Sequence, residues 1–366
     1  MTGTLTHDRR SPEEWLEVDL DAWTRQVVRR HFDPEQGAPY WLRRRAELGF
    51  EPRDVTRYSE LAAFGPFPLH ELRTLDPAEL VPQDVPRPLI GRVWESGGTT
   101  GDPCRVFYTP EMLLYRGIWR RWSFETEGFR SHRSWLQATP TGPHLIGGSG
   151  IWELTDLFAA RVYTVDMDPR WVKRLVRDGR LADAQEYSAH VVAQVAGVLR
   201  TQPVDYLNTT PALLRVLLRE CPELVGRLGG VRLSGTQISP AMYRQFREAL
   251  GEAPIGRSYG NTFGNAAGWP VPDDGRTLPY VPNFPQVTMT VVENTPDSAT
   301  GGRFRPVGYG RVGRVMLTAL YDHLFLPNIL ERDQAVRYDT GGRWPADGVA
   351  NVRPLQASRE TPEGIY

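Results

Sequence analysis

Glu95-Ser96-Gly97-Gly98-Thr99-Thr100-Gly101-Asp102-Pro103 packs three glycines and three hydroxyl side chains into a turn closed by proline. Glycine lets a backbone approach a ligand closely and adopt positive φ. Free amides and Ser or Thr hydroxyls donate hydrogen bonds to phosphate oxygens, so the run suits an anion. It matches neither common nucleotide loop. No lysine follows Gly101, so the G-x-x-x-x-G-K-[ST] spacing fails, and the G-x-G-x-x-G spacing fails as well. The competing reading is a purely structural turn, because the same hydroxyls can bond their own backbone.

Outward from this run, the middle of the chain alternates strand-like and helix-like segments, the pattern of an α/β layered fold. Val204–Asn208 reads as a strand, Pro211–Arg219 as a helix and Gly230–Leu233 as a strand. Pro240–Leu250 reads as a helix capped by Ser239, and Pro254–Ser258 as a strand running into Tyr259. Gly235 and Tyr259 then fall at the C-terminal ends of successive strands, the edge where open α/β sheets bind ligands. Upstream, a helix is expected over Ser11–Arg30, with Trp15, Leu20, Trp23 and Val27 as its apolar stripe. Further helices are expected over 110–127 and 183–200, and short helical turns over the proline-rich 60–90. Beyond about residue 285 the character turns to β, with strands over 286–293 and 313–320. We therefore expect an α/β core over 1–285 and a β-rich, barrel-like subdomain over 286–366.

Four segments in order carry a resemblance. They are Ser96–Pro103; Leu233-Ser234-Gly235-Thr236; Arg257-Ser258-Tyr259-Gly260-Asn261-Thr262; and Arg337-Tyr338-Asp339-Thr340-Gly341-Gly342. Together they resemble the phosphate loop, the adenine-contacting turn, the Tyr-Gly-x-Thr-Glu motif and the Arg-Tyr-x-Thr-x-Asp motif of the adenylate-forming superfamily. The branch they are most similar to is that of the phenylacetate-CoA ligases. The resemblance implies a large N-terminal domain of layered sheets and helices with a small barrel-like subdomain, ATP and Mg2+ as cofactors, and activation of a carboxylic acid as an acyl adenylate. By the same resemblance Thr99, Thr100 and Thr262 act in catalysis. Ser96, Gly97, Gly98, Gly101, Ser234, Gly235, Thr236, Tyr259, Gly260, Asn261 and Asp339 hold the nucleotide, and His144 lines the acid pocket. Length and layout are most similar to the single-domain adenylating proteins of griseoluteate-type phenazine antibiotic biosynthesis. That likeness implies an aromatic acid, secondary metabolism, and a downstream reductase or carrier protein for the next step.

Three departures from the family pattern bear on this. Phe263 stands where the family has a glutamate that helps hold magnesium, and a phenyl ring offers no oxygen to a hard cation. Gly342 stands where it has the aspartate that grips the ribose, leaving Asp339 and Asp347 as candidate substitutes. The sequence ends about where the family's C-terminal lid domain, with its lysine and pantetheine tunnel, would begin, so that domain is expected to be absent. The metal ligands are left unassigned. A degenerate fold serving as a binding or scaffold subunit is the rival reading, and a transferase that accepts a preformed adenylate is a third.

Composition excludes other classes. At 366 residues the chain can bury a substantial core. A net charge of -1 gives no global field for nucleic acid or anionic lipid. Two cysteines far apart argue against a disulfide framework and fit a reducing cytoplasm. No run approaches the apolar length of a membrane helix, so neither nucleic acid nor membrane is an expected partner. No G-x-S-x-G elbow and no H-E-x-x-H pair supports a hydrolase or zincin.

Overall fold

The computed structural model describes residues 10–97, 102–148, 150–294 and 304–355. Ser11 opens α1 (Pro12–Leu16) with a capping box to Glu14, as its Ser-Pro-Glu-Glu start requires. The helix expected to run on to Arg30 is interrupted. Asp19 turns its carboxylate onto the N–H groups of Asp21 and Ala22 and starts a separate helix, α2 (Leu20–His31). The apolar stripe of Trp15, Trp23 and Val27 survives the break and is buried. Helix α3 (Pro39–Arg44) and short 3-10 turns between Arg45 and Leu80 follow. These N-terminal elements are pinned to the far end of the chain: the indole of Trp23 donates to Leu320 O at 2.8 Å and that of Trp41 to Phe325 O at 3.0 Å.

A hairpin of β1 (Arg92–Glu95) and β2 (Arg105–Tyr108) brackets the Gly-rich run. Thr109 then caps α4 (Pro110–Thr126). The α/β alternation proceeds through β3 (Ser134–Ala138), α5 (Gly150–Phe158), β4 (Arg161–Thr164), α6 (Pro169–Arg177), α7 (Leu181–Thr201), β5 (Tyr206–Thr209), α8 (Pro211–Glu220), α9 (Pro222–Val225), β6 (Gly230–Leu233), α10 (Pro240–Leu250) and β7 (Ile255–Gly260). Helices α4, α6, α8 and α10 each start with a side-chain N-cap followed by proline, the pairs being Thr109-Pro110, Asp168-Pro169, Thr210-Pro211 and Ser239-Pro240. Proline fixes φ where no N–H is missed, and each cap contributes about 1 kcal/mol. On α7, Val191, Val192 and Val195 are buried, while Val198 and Leu199 are half-buried.

Beyond β7 the chain is β: β8 (Asn265–Gly268), β9 (Pro279–Pro282), β10 (Val287–Val292), β11 (Val312–Tyr321), β12 (Leu324–Tyr338) and β13 (Gly348–Pro354). All but the first hairpin join one 11-stranded sheet in the order β10-β11-β12-β13-β9-β8-β7-β6-β5-β3-β4. Strands β4, β3, β5, β6 and β7 are mutually parallel, whereas every pairing from β7 outward through β8 is antiparallel. The sheet continues without a break across residue 285, and β10 comes back into contact with β13 and β9, curling that half on itself. β7 is therefore the seam. One of its neighbours runs with it and the other against it.

Candidate active site

At that seam, Ser234 and Gly235 follow β6 while Tyr259 and Gly260 end β7, and all four line one cavity of about 230 Å³. Gly260 has φ +153, and a Cβ there would lie 2.5 Å from Gly264 O and 2.8 Å from Asn265 Cα, so the turn admits only glycine. The next residues leave the sheet and reach back to the hairpin. Thr262 is buried, its hydroxyl donates to Glu95 O at 3.1 Å, and its carbonyl accepts from the Tyr108 hydroxyl at 2.9 Å. This ties the Tyr259–Thr262 motif to the strand that delivers the Gly-rich run. Ser96 closes the base of that run: its N–H donates to Cys104 O, and its Oγ accepts from Cys104 N, both at 2.9 Å. Gly98, Thr99, Thr100 and Gly101 lie outside the described residues.

The other expected site residues are placed as follows. The Tyr259 hydroxyl donates to Asp333 at 3.0 Å, and its half-buried ring stays on the cavity wall. Asn261 accepts from Phe263 N at 2.8 Å and donates to Glu331 at 2.6 Å. Gly235 has φ +86, and the neighbouring Thr236 hydroxyl is shielded from solvent with no hydrogen-bond partner among the described residues. Asp339 is exposed and caps Gly341 N at 2.8 Å. Asp347 instead accepts from Arg337, Tyr309 and Thr290, which commits its carboxylate to holding the β-rich half together. Gly342 sits at φ +73 directly after Gly341 at φ +63, a left-handed pair that favours glycine over aspartate. The ring of His144 is exposed, and the cavity wall is made by the following residues, Leu145, Ile146 and Gly147.

Three residues at this edge went unread in the sequence. Lys173, the sequence's one lysine, projects from α6 so that a Cβ built on Gly97 would lie 3.8 Å from its Nζ. Burial, then Arg332 and Arg170, hold its ammonium below the ordinary lysine value. Arg170 itself donates to Glu95 at 2.8 Å and to Ser96 O at 3.3 Å. The base of the Gly-rich run is thus flanked by cations. Its one-of-a-kind residue type was the signal available, since lysine and arginine are not interchangeable at an anion site.

The other two are acids on β12. Glu331 faces Asn261, and burial, aided by Asp333, raises its carboxyl to about 7 against the pull of Asn261, Arg332 and Arg314. Burial raises Asp333 as well. Because the folded pKa of Glu331 exceeds its unfolded value of 4.5, the folded chain holds a proton that the unfolded chain releases between pH 4.5 and about 7. The stabilisation is complete below pH 4.5 and is lost as pH rises through 7. At 1.36 kcal/mol per unit this is on the order of 3 kcal/mol. Urea unfolding of wild type and Glu331→Gln at pH 4.5 and 8 reads it directly: wild type loses ground to the variant by about that amount, and a flat difference rules out titration of Glu331 in this window.

No protein-family model and no curated protein matches the chain. Among solved structures it is similar to 2-hydroxyisobutyryl-CoA ligase with 2-HIB-AMP and CoA in the thioesterification state. The TM-score is 0.63 at 17% identity, over 87% of this chain and 63% of that one. It is also similar to the open conformation of the same ligase, with TM-score 0.63 at 15% identity over 90% of this chain and 72% of that one. The chain has the fold of the N-terminal domain of adenylate-forming ligases. It spans just under two thirds of the ligase's length in the first of these comparisons. Among the described residues, no helix is long and apolar enough to cross a membrane.

Proposed function

We propose that the protein activates a small carboxylic acid with ATP as its acyl adenylate. The observation that carries this reading is the convergence at the β6–β7 edge. Ser234, Gly235, Tyr259 and Gly260 line one cavity, and Thr262 ties the same motif to Glu95 at the cation-flanked base of the Gly-rich run. In this reading a carboxylate oxygen of the acid attacks the α-phosphorus of ATP. The new O–P bond forms as the α–β anhydride bond breaks, and pyrophosphate leaves. The protein's contribution is positional and electrostatic. Lys173, with Arg332 beside it, faces the departing charge, Gly260 lets the backbone pass close to the nucleotide, and Tyr259 offers its ring to the base. Asp339 is the exposed carboxylate available to the ribose. An aromatic acid, as the family resemblance implies, is compatible with Trp119 in the cavity wall. A partner protein or CoA would take the acyl group onward.

Magnesium is expected with ATP, and Phe263, 4% exposed in the core, cannot ligate it. Glu331 and Asp333 supply carboxylate oxygens on the strand facing the same motif, and a carboxyl held near neutrality by burial is ready to ionise against a dication. They fit the group: Mg2+ takes one or two carboxylates and fills its other positions with phosphate oxygens and water. Bound there, it would neutralise phosphate charge.

Calorimetric titration with ATP and Mg2+ tests the reading. Saturable binding is expected, with proton release from Glu331 seen as a heat that varies with buffer ionisation enthalpy near pH 6.5. The absence of binding up to millimolar nucleotide would favour the scaffold reading.

A further inference from the structure

One wall of the cavity is cationic. Arg116, Arg120 and Arg232 line it, and among the described residues no carboxylate does. Two of them, Arg116 and Arg120, stand four residues apart on α4, on the face that also presents Trp119 and Ser123. Arg232 reaches in from β6 and is 6% exposed. Behind the wall, Glu153 pairs with Arg116 at 3.1 Å and with Arg120 at 2.7 Å, while Glu127 pairs with Arg232. Three guanidiniums thus share two carboxylates. Glu127 is shared further, since it also accepts from Arg257 N at 2.8 Å. Burying an excess of charge costs several kcal/mol, so an imbalance in a cavity wall marks a place where a ligand supplies the missing anion. Crowding by burial and by the neighbouring guanidiniums Arg116 and Arg232 lowers Arg120 to about 10, although Glu153 opposes this. Beside the arginines, Asn208 donates to Gln137 at 2.7 Å while its buried Oδ1 has no partner among the described residues, leaving a polar atom on the wall. A cavity of about 150 Å³ holds a benzene ring, so 230 Å³ leaves room for one ring and a small polar substituent.

We infer that the acid taken by this cavity carries a second anionic group, seated against Arg116, Arg120 and Arg232 while the reacting carboxylate faces the β6–β7 edge. The inference rests on the acid-activating reading and names its substrate class as small dicarboxylic acids, one ring or a short chain in length.

The test is calorimetric titration of the protein with isophthalate against benzoate and glutarate against valerate, alongside pyrophosphate exchange with each acid. Each dicarboxylate is expected to bind at least tenfold tighter than its monocarboxylate. Arg120→Met should remove that advantage. This variant leaves Glu153 paired with Arg116, so it is expected to fold, and the wild-type panel stands without it. Equal binding of mono- and diacids, a diacid preference undiminished in Arg120→Met, or no binding of any acid overturns the inference. A diacid preference lost in the variant, with no exchange for any acid, would keep the pocket and overturn activation. Exchange supported best by monoacids would do the reverse.

Discussion

Lys173→Met is expected to slow acid-dependent pyrophosphate exchange by about a hundredfold or more, the usual cost of removing one preorganised donor from developing charge. Lys173 Nζ lies within van der Waals reach of a side chain built on Gly97, at the described foot of the Gly-rich run. It is the one lysine in a sequence whose other basic residues are arginines. A compact ammonium can turn its three donors onto a phosphate that moves during bond breaking, whereas a guanidinium presents a fixed planar fork. Lys173→Arg should therefore recover little. Lys173 is half-buried and its neighbours are cations, so its removal relieves repulsion and should not lower stability. Thermal unfolding unchanged with exchange lost supports the role. Full exchange in Lys173→Met rejects it.

The second large effect is structural. Glu127→Ala should cost about 3 to 5 kcal/mol, the range for a buried charge deprived of its partner. Glu127 is wedged where β6, β7 and α4 meet. It pairs with Arg232, accepts from Arg257 N, and lies where a Cβ on Gly256 would stand 2.6 Å away or on Gly268 3.0 Å away. Those glycines make room for the carboxylate against the backbone. Without it, Arg232 keeps, among the described residues, the Ser123 hydroxyl at 3.3 Å and its stacking over Phe124. Urea unfolding measures the loss. Glu127→Gln combined with Arg232→Met should recover most of it, because the pair disappears together. A loss equal to the sum of the two single changes would mean that the two residues do not depend on each other.

Local signals explain which parts of this architecture were legible. The Ser239-Pro240 and Thr109-Pro110 starts and the alternation from β5 to β7 were readable because caps, proline and apolar period act within a few residues. The break before α2 was hidden by an apolar stripe that runs through it, although Asp19 carried the capping signal. Ser234, Gly235, Tyr259 and Gly260 of the sequence segments fall together at the C-terminal ends of β6 and β7. The charged furniture of this edge was not legible. Asn261 and Glu331 are 70 residues apart, Arg232 and Glu127 are 105 apart, and Lys173 reaches Gly97 from a helix on another layer. Such pairs exist only once the parallel and antiparallel halves of the sheet have closed around β7. The departures at Phe263 and Gly342 were visible in sequence. Their physical reasons, a core position and a left-handed backbone, needed the fold.

Carboxylate-dependent ATP–pyrophosphate exchange tests the account most directly. With Mg2+, ATP and a panel spanning aromatic and aliphatic mono- and dicarboxylic acids, the account predicts incorporation of labelled pyrophosphate into ATP that depends on the acid and falls sharply in Lys173→Met. Exchange absent with every acid, or present without one, would contradict it.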